Sequence, residues 1–419
     1  MIPILLPFLI LPFNSRLLVK TGSRRQSELN NVYHICDKVL RLFKGAYMKN
    51  RKQKINLLLL TVSVLSLHCL SCKDGSSVTE PSPTILTTET ISKLNAAADK
   101  VMRSFPIPGM IACISAEGEG ELLIARGVGN LSTNDPMSTG NNFRMASVTK
   151  TFTTETVLIL VDEGKIDLNK TLSYYLPEYN IPGKDQITIR MLGTMRSGLI
   201  DCINDPDLNT AYFNSQGTIK FTPEQLIVPL LTSQLKFTPG SQFDYCNSNT
   251  ILLGLIIKKV TGKEVKDVFQ EKIFQPLGLT HTFWPETNYL PFPYHHAYEK
   301  LGGTLTDMTY YGNSIGYSAG ILISNLADLT IWAKELSERK LLSANTKIER
   351  FQMGDNSTYS FGLDHMGDWV GHSGGIFGWN SMVYYNTVKK VSIVVHTNTL
   401  ENTPAGEAFN EFGKIINQL

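Results

Sequence analysis

Cysteine is scarce in this 419-residue chain, with six in all. Cys113, Cys202 and Cys246, the three in the body of the chain, are an odd number at wide spacing, with no CxxC pair among them and no spacing that suits a zinc site. A disulfide scaffold or a structural metal centre is therefore not what holds the fold. Long apolar runs are lacking too: Ile55–Leu67 stops after thirteen residues, short of a comfortable membrane span. There is no internal repeat, and Gly (32) and Pro (19) are far too few for a collagen-like or low-complexity chain. Nor does charge of one sign dominate, at 39 basic against 37 acidic residues. That balance hides a split. Eleven basic and two acidic residues fall in residues 1–71, which leaves 28 basic and 35 acidic residues, net −7, over 72–419. An acidic body excludes nucleic acid as the main partner.

The basic residues belong to a targeting segment. Lys49, Arg51, Lys52 and Lys54 precede the Ile55–Leu67 run, which ends in Leu70-Ser71-Cys72. A charged start, a short apolar centre and small residues before the cut describe a secretory signal. Cys72 after Leu-Ser resembles a bacterial lipobox, in which that cysteine is lipidated. Residues 48–71 are thus expected to be a lipoprotein-type signal starting at Met48, with 1–47 a spurious upstream extension. Met1–Phe13 as the signal or anchor is the alternative. Residues 72–88, rich in Ser, Thr and Pro, read as a tether. The expected location is the cell envelope, outside the cytoplasm, held by the N-terminal lipid. Cys113, Cys202 and Cys246 remain as buried thiols, or as a Cys202–Cys246 bridge with one left over.

Folded sequence is expected over 89–419. A helix to Arg103 stops before Pro106 and Pro108, and Met110–Ser115 with Glu121–Arg126 read as a hairpin. Thr151–Glu163 is helical in period and closed by Gly164. The Pro/Gly-punctuated middle, roughly 165–315, holds helices at Pro223–Thr232, Thr250–Val260 and Val265–Phe274. Another follows at Leu326–Glu338. Trp379–Val388 and Val391–Thr397 are strand-like, and Ala405–Gln418 is a terminal helix. Strands at both ends with helices between predict an α/β (α+β) domain split by a mostly helical insertion.

Three segments carry chemistry. Ser147 and Lys150, directly before a helix, share one face at i, i+3. A serine hydroxyl needs a neighbouring base, and a desolvated Lys can supply one. Taken alone, SxxK is more often solvated helix surface. Tyr245 and Asn247 precede the next helix; Tyr245 can relay a proton, and Asn247 can bond a substrate amide and the Lys. Ser248 or Asn249 is expected to cap that helix. Gly371-His372-Ser373-Gly374-Gly375 matches GxSxG, but an elbow serine needs a following helix, then an acid and a His. Strand-like sequence follows Ser373, and no acid lies between it and His396, so the elbow is rejected.

The order SxxK, YxN, HxG across some 230 residues resembles the serine β-lactamase and penicillin-binding-protein superfamily, in its class C and D-alanyl-D-alanine carboxypeptidase branch. Gly127-Val128-Gly129, Pro276-Leu277-Gly278-Leu279 and Ser318-Ala319-Gly320 support the likeness. The resemblance implies a β-lactamase/transpeptidase-like fold, an antiparallel sheet flanked by helices. It implies Ser147 as acylated nucleophile, Lys150 and Tyr245 as general acid and base, and Asn247 as substrate-positioning. His372 would face a substrate carboxylate or the proton network. Gly374 and Gly375 would line the substrate, with the N–H groups of Ser147 and Gly375 as oxyanion hole. No cofactor or metal is implied, and His295-His296 read as loop residues. Met195-Arg196-Ser197-Gly198-Leu199 stands where relatives often carry His-Thr-Ser-Gly-Leu. The expectation is a monomeric serine hydrolase acting on a small-molecule or peptidoglycan-derived amide or ester. D-alanyl-D-alanine carboxypeptidase-like or β-lactamase-like activity leads; an esterase, or a β-lactam or muropeptide sensor without turnover, is the alternative.

Overall fold

The computed structural model describes residues 84–354 and 357–419; the expected signal, Cys72 and most of the tether lie outside them. Helix α1 (Thr88–Ser104) starts where Thr87 Oγ1 accepts the Thr90 N–H, 3.1 Å. Strands β1 (Gly109–Ala116) and β2 (Gly120–Asn130) form the expected hairpin, turning at Gly118 with φ +82°. Short strands β3 (Asp135–Pro136) and β4 (Phe143–Arg144) lead to helix α2 (Thr149–Asp162). Helix α3 (Asn247–Thr261) follows in the middle region. The chain continues through β5 (Tyr298–Leu301), β6 (Thr304–Asp307), β7 (Ile323–Ser324), α4 (Leu326–Glu338) and α5 (Ala344–Phe351). It closes with β8 (Asp364–Met366), β9 (Trp369–Ile376), β10 (Trp379–Asn386), β11 (Val391–Thr397) and α6 (Pro404–Asn417).

Seven strands make one antiparallel sheet in the order β3-β2-β1-β11-β10-β9-β8. The first hairpin joins the last strand, Met110 opposite Thr397, so the two ends of the folded sequence complete each other. Alternation along β1 and β11 sends residues to two cores. Ile114, Ile393 and Val395 pack against Leu94, Ala98 and Phe412 of α1 and α6. On the other face, Val383 and Val394 meet Leu329 and Trp332 of α4, and this core runs on into α2 and α3. The result is a mixed α/β fold: a large antiparallel sheet with helices on both faces. Residues 165–315 hold mostly helices, with β5 and β6 as a separate hairpin.

Three middle elements depart from expectation. Pro223–Thr232 is two turns, Pro223–Leu226 and Val228–Leu231, because Pro229 has no N–H to give the Gln225 carbonyl. Val265–Phe269 passes into a wider π-type turn over Gln270–Phe274. Helix α3 begins at Asn247, so Ser248 and Asn249 are not caps. Both are buried inside the helix, where Ser248 Oγ bonds Ile200 O at 2.7 Å and Asn249 Nδ2 meets Met195 Sδ.

Candidate active site

The turn that carries Ser147 is strained. Ala146 has φ +49°, a conformation an L-residue rarely adopts. It opens a 3₁₀ turn, Ala146–Val148, that runs directly into α2. One helical turn on, Lys150 is completely buried. Its Nζ lies 2.9 Å from Ser147 Oγ, 2.6 Å from Asn247 Oδ1 and 2.8 Å from the Ala319 carbonyl. Burial pushes the Lys150 pKa down to about 7, against the pull of Asp201 that raises it. Near neutral pH the amine is thus present in quantity, within reach of the serine proton.

Asn247 sits at the start of α3 because its own amide is pinned. Asp201 accepts from Asn247 Nδ2 at 2.7 Å and from its backbone N–H at 3.2 Å. That fixes which end of the amide faces Lys150: the carbonyl oxygen. Tyr245 lies over the same lysine, its ring centre 5.1 Å from Nζ. Desolvation of the hydroxyl raises the Tyr245 pKa, and the neighbouring Ser147 opposes this. The side chain as a whole is 38% exposed, so solvent at the ring edge moderates that rise.

The third segment arrives on β9. Strand β8 pairs with β9 only to Gly371, and the edge from His372 onward lies against the Ala146–Val148 turn. Gly374 makes the approach possible: a Cβ there would stand 2.2 Å from the Met145 carbonyl. Gly375 continues the same edge, opposite Asn380 of β10. Ser373, in mid-strand, cannot be an elbow nucleophile. His372 is buried with both nitrogens occupied, Nε2 at 3.0 Å from the Tyr359 hydroxyl and Nδ1 on the Ser373 carbonyl. Burial and the nearby Lys150 press its pKa down to about 3. It belongs to a hydrogen-bond network, not to a cationic anchor.

Six positions from the sequence therefore meet at one place: Ser147, Lys150, Tyr245, Asn247, His372 and Gly374, with Gly375 next in line. Three participants were not foreseen as such. Asp201 follows the Met195–Leu199 segment by two residues, and that position was the available signal. The Ala319 carbonyl lies within the Ser318-Ala319-Gly320 match; Tyr359 carried no signal. Arg196 donates from Nε and Nη2 to the Gly240 carbonyl, bracing the loop that leads to Tyr245.

Elsewhere, Cys113, Cys202 and Cys246 are buried free thiols, their pKa values raised by desolvation to between about 11 and about 12. His295 lies, as expected, in the loop before β5, with its side chain buried among Phe143, Trp379 and His396. His296, partly exposed, pairs with Asp307 at 2.7 Å. Among the described residues no cluster of His, Cys, Asp and Glu is placed to hold a metal, and no helix is long and apolar enough to cross a membrane.

A serine bonded to a buried, near-neutral lysine, beside a tyrosine hydroxyl and a free strand edge, is the equipment of a serine hydrolase that acylates its own hydroxyl. The chain belongs to the beta-lactamase family, whose model matches residues 94–415. It is 26% identical to the Bacillus subtilis (strain 168) protein PbpX over 305 residues, 71% of this chain and 73% of that one. It is also 26% identical to a D-aminopeptidase of Gluconobacter oxydans (strain 621H) over 336 residues. That match covers 76% of this chain but 61% of the relative's length. Among solved structures, a D-stereospecific amidohydrolase from Streptomyces sp. superposes with a TM-score of 0.67 at 27% identity, covering 76% of this chain and 97% of that one.

Proposed function

We propose that the protein hydrolyses an amide whose acyl group belongs to a D-configured residue, through an acyl-Ser147 intermediate. The observation that carries the acyl-serine chemistry is Lys150: fully buried, 2.9 Å from Ser147 Oγ, with a pKa near 7. In the first half-reaction the Lys150 amine takes the Ser147 proton as Oγ attacks the carbonyl carbon. The N–H groups of Ser147 and Gly375 receive the negative charge that develops on the carbonyl oxygen. The proton passes by way of the Tyr245 hydroxyl to the leaving nitrogen, the C–N bond breaks, and an ester on Ser147 remains. Water then attacks that ester with Lys150 and Tyr245 as the base, and Ser147 regains its proton.

The D-aminopeptidase and D-stereospecific amidohydrolase relatives support D-configured amides over simple esters. D-alanyl-D-alanine carboxypeptidase-like and β-lactamase-like hydrolysis are versions of the same chemistry with different leaving groups. The protein is taken to work in the cell envelope, lipid-anchored through Cys72. Turnover measured on a D-alanine amide, a D-Ala-D-Ala peptide, a chromogenic cephalosporin and a p-nitrophenyl ester tests the reading. The D-amide or D-peptide should be turned over fastest. A stoichiometric burst with no steady state on any of them would mark a sensor instead, and turnover of the ester alone an esterase.

A further inference from the structure

Tyr359 lies outside every motif, yet it touches two members of the site. Its hydroxyl is 3.0 Å from His372 Nε2, and its ring stands edge-on to those of His372 (5.7 Å, 86°) and Tyr245 (6.1 Å, 86°). Proton bookkeeping settles the direction of the bonds. The Ser373 carbonyl can only accept, so His372 Nδ1 carries hydrogen and donates to it. For a neutral ring, Nε2 must then accept, and the Tyr359 O–H donates. His372 keeps no donor or acceptor for anything else.

We infer that Tyr359 is a positioning and specificity residue: by donating to Nε2 it locks His372 as the neutral Nδ1–H tautomer. The strand edge beside Ser147 then offers no cation to a leaving group that ends in a carboxylate. This rests on the amide-hydrolase reading above and deepens it. The preferred substrates are amides whose leaving group carries no carboxylate, such as a primary amide of a D-amino acid. Other charged or titratable groups around the imidazole point the same way. Lys150 from α2 and Arg350 from α5 both disfavour a second positive charge there, while Tyr245 closes the remaining side. Asp364, opposite Gly371 on β8, is the nearby carboxylate, and it accepts from the Tyr384 hydroxyl at 2.8 Å. Arg350 itself is held by Thr154 Oγ1 and the Thr151 carbonyl.

The test uses the folded enzyme, Tyr359→Phe and Tyr359→Leu. Nitrogen-15 NMR of labelled histidine, with His372 assigned by substitution, reads the tautomer directly and needs no substrate. At pH 7 the wild type should show neutral Nδ1–H. In Tyr359→Phe, Nε2 loses its donor, and the imidazole should take up its proton at a higher pH than in the wild type. In parallel, kcat/KM is compared for D-alanine amide and a D-Ala-D-Ala peptide. Wild type should favour the amide by about tenfold or more, and Tyr359→Phe at pH 5.5 should shift that ratio at least threefold toward the peptide, through KM. Tyr359→Leu, which also removes the ring beside Tyr245, should lower kcat on both. A charged or Nε2–H His372 in the wild type overturns the inference, as does a ratio unmoved in a folded Tyr359→Phe. Should neither substrate be turned over, the amide reading fails, and the NMR result still decides the tautomer.

Discussion

Replacing Asp201 by Asn should move the pH at which Ser147 becomes reactive. Asp201 and Lys150 face each other across a single amide, 2.7 Å from Asn247 Nδ2 on one side and 2.6 Å from Oδ1 on the other. The two charges are therefore on the order of 6 Å apart, where an effective dielectric of about 20 gives an attraction of about 3 kcal/mol. That corresponds to roughly two pH units of support for the protonated lysine. Lys150 acts as a base, so activity rises with pH through its pKa, near 7 in the wild type. Without the carboxylate, desolvation acts unopposed and the acid limb should fall toward about pH 5. Asparagine can still accept from Asn247 Nδ2, so the plateau rate should drop by less than about tenfold. The assay is the second-order rate of labelling by a fluorophosphonate, taken within seconds of a pH jump so that slower acid unfolding does not intrude. A midpoint that stays within about 0.3 units of wild type would refute the coupling. An upward move would refute the assignment of Lys150 as the base.

Ser147→Ala should abolish covalent labelling, and active-site mass spectrometry should find no label on Ser373. Lys150→Ala and Tyr245→Phe should each slow acylation by about a hundredfold or more. The double variant should lose much less than the product, because the two handle one proton; full additivity in steady-state kinetics would contradict that. His295 is a buried imidazole with neither nitrogen partnered and a pKa depressed to about 3. Its stabilising contribution is present above the unfolded value near 6.5 and is lost as pH falls toward 3. His295→Phe should thus flatten the decline in urea stability over that window by about 1.4 kcal/mol per pH unit. Expressed in a bacterium from Met48, the protein should partition with membranes, and Cys72→Ser should remove the lipid seen by mass spectrometry of the mature N-terminus.

Legibility followed the reach of each interaction along the chain. Ser147 and Lys150 are one helical turn apart, and helical spacing alone puts them on one face. The strands at both ends were readable because apolar runs, punctuated by Gly and Pro, are local signals. The joining of β1 to β11 was not readable, since register between segments nearly 300 residues apart leaves no local trace. Asp201 and Tyr359 escaped because each is defined by a side-chain partner in another element, Asn247 in one case and His372 in the other, and neither spacing follows a helical or strand period. The cap assigned to Ser248 or Asn249 failed for a different cause. Both residue types favour helix starts in solution, but burial between the Met195–Ile200 segment and α3 gave their side chains other partners. His295 was read correctly as a loop residue, but its burial against Trp379 and His396 was not readable, because aromatic packing between distant segments leaves no local trace.

The three acceptors around Lys150 Nζ have a consequence for the order of events. An ammonium has three hydrogens, and Ser147 Oγ, Asn247 Oδ1 and the Ala319 carbonyl accept all three. A neutral amine has two hydrogens and a lone pair, so in that form one of the three contacts must reverse. Only the serine hydroxyl can do so, by turning its own hydrogen toward nitrogen, since the other two are carbonyl oxygens with nothing to donate. The cradle therefore admits a single orientation of the reactive amine, with its lone pair on Ser147. It is complete again only after the proton has crossed. The surroundings are shaped for the product of that transfer, and little rearrangement is left to accompany it.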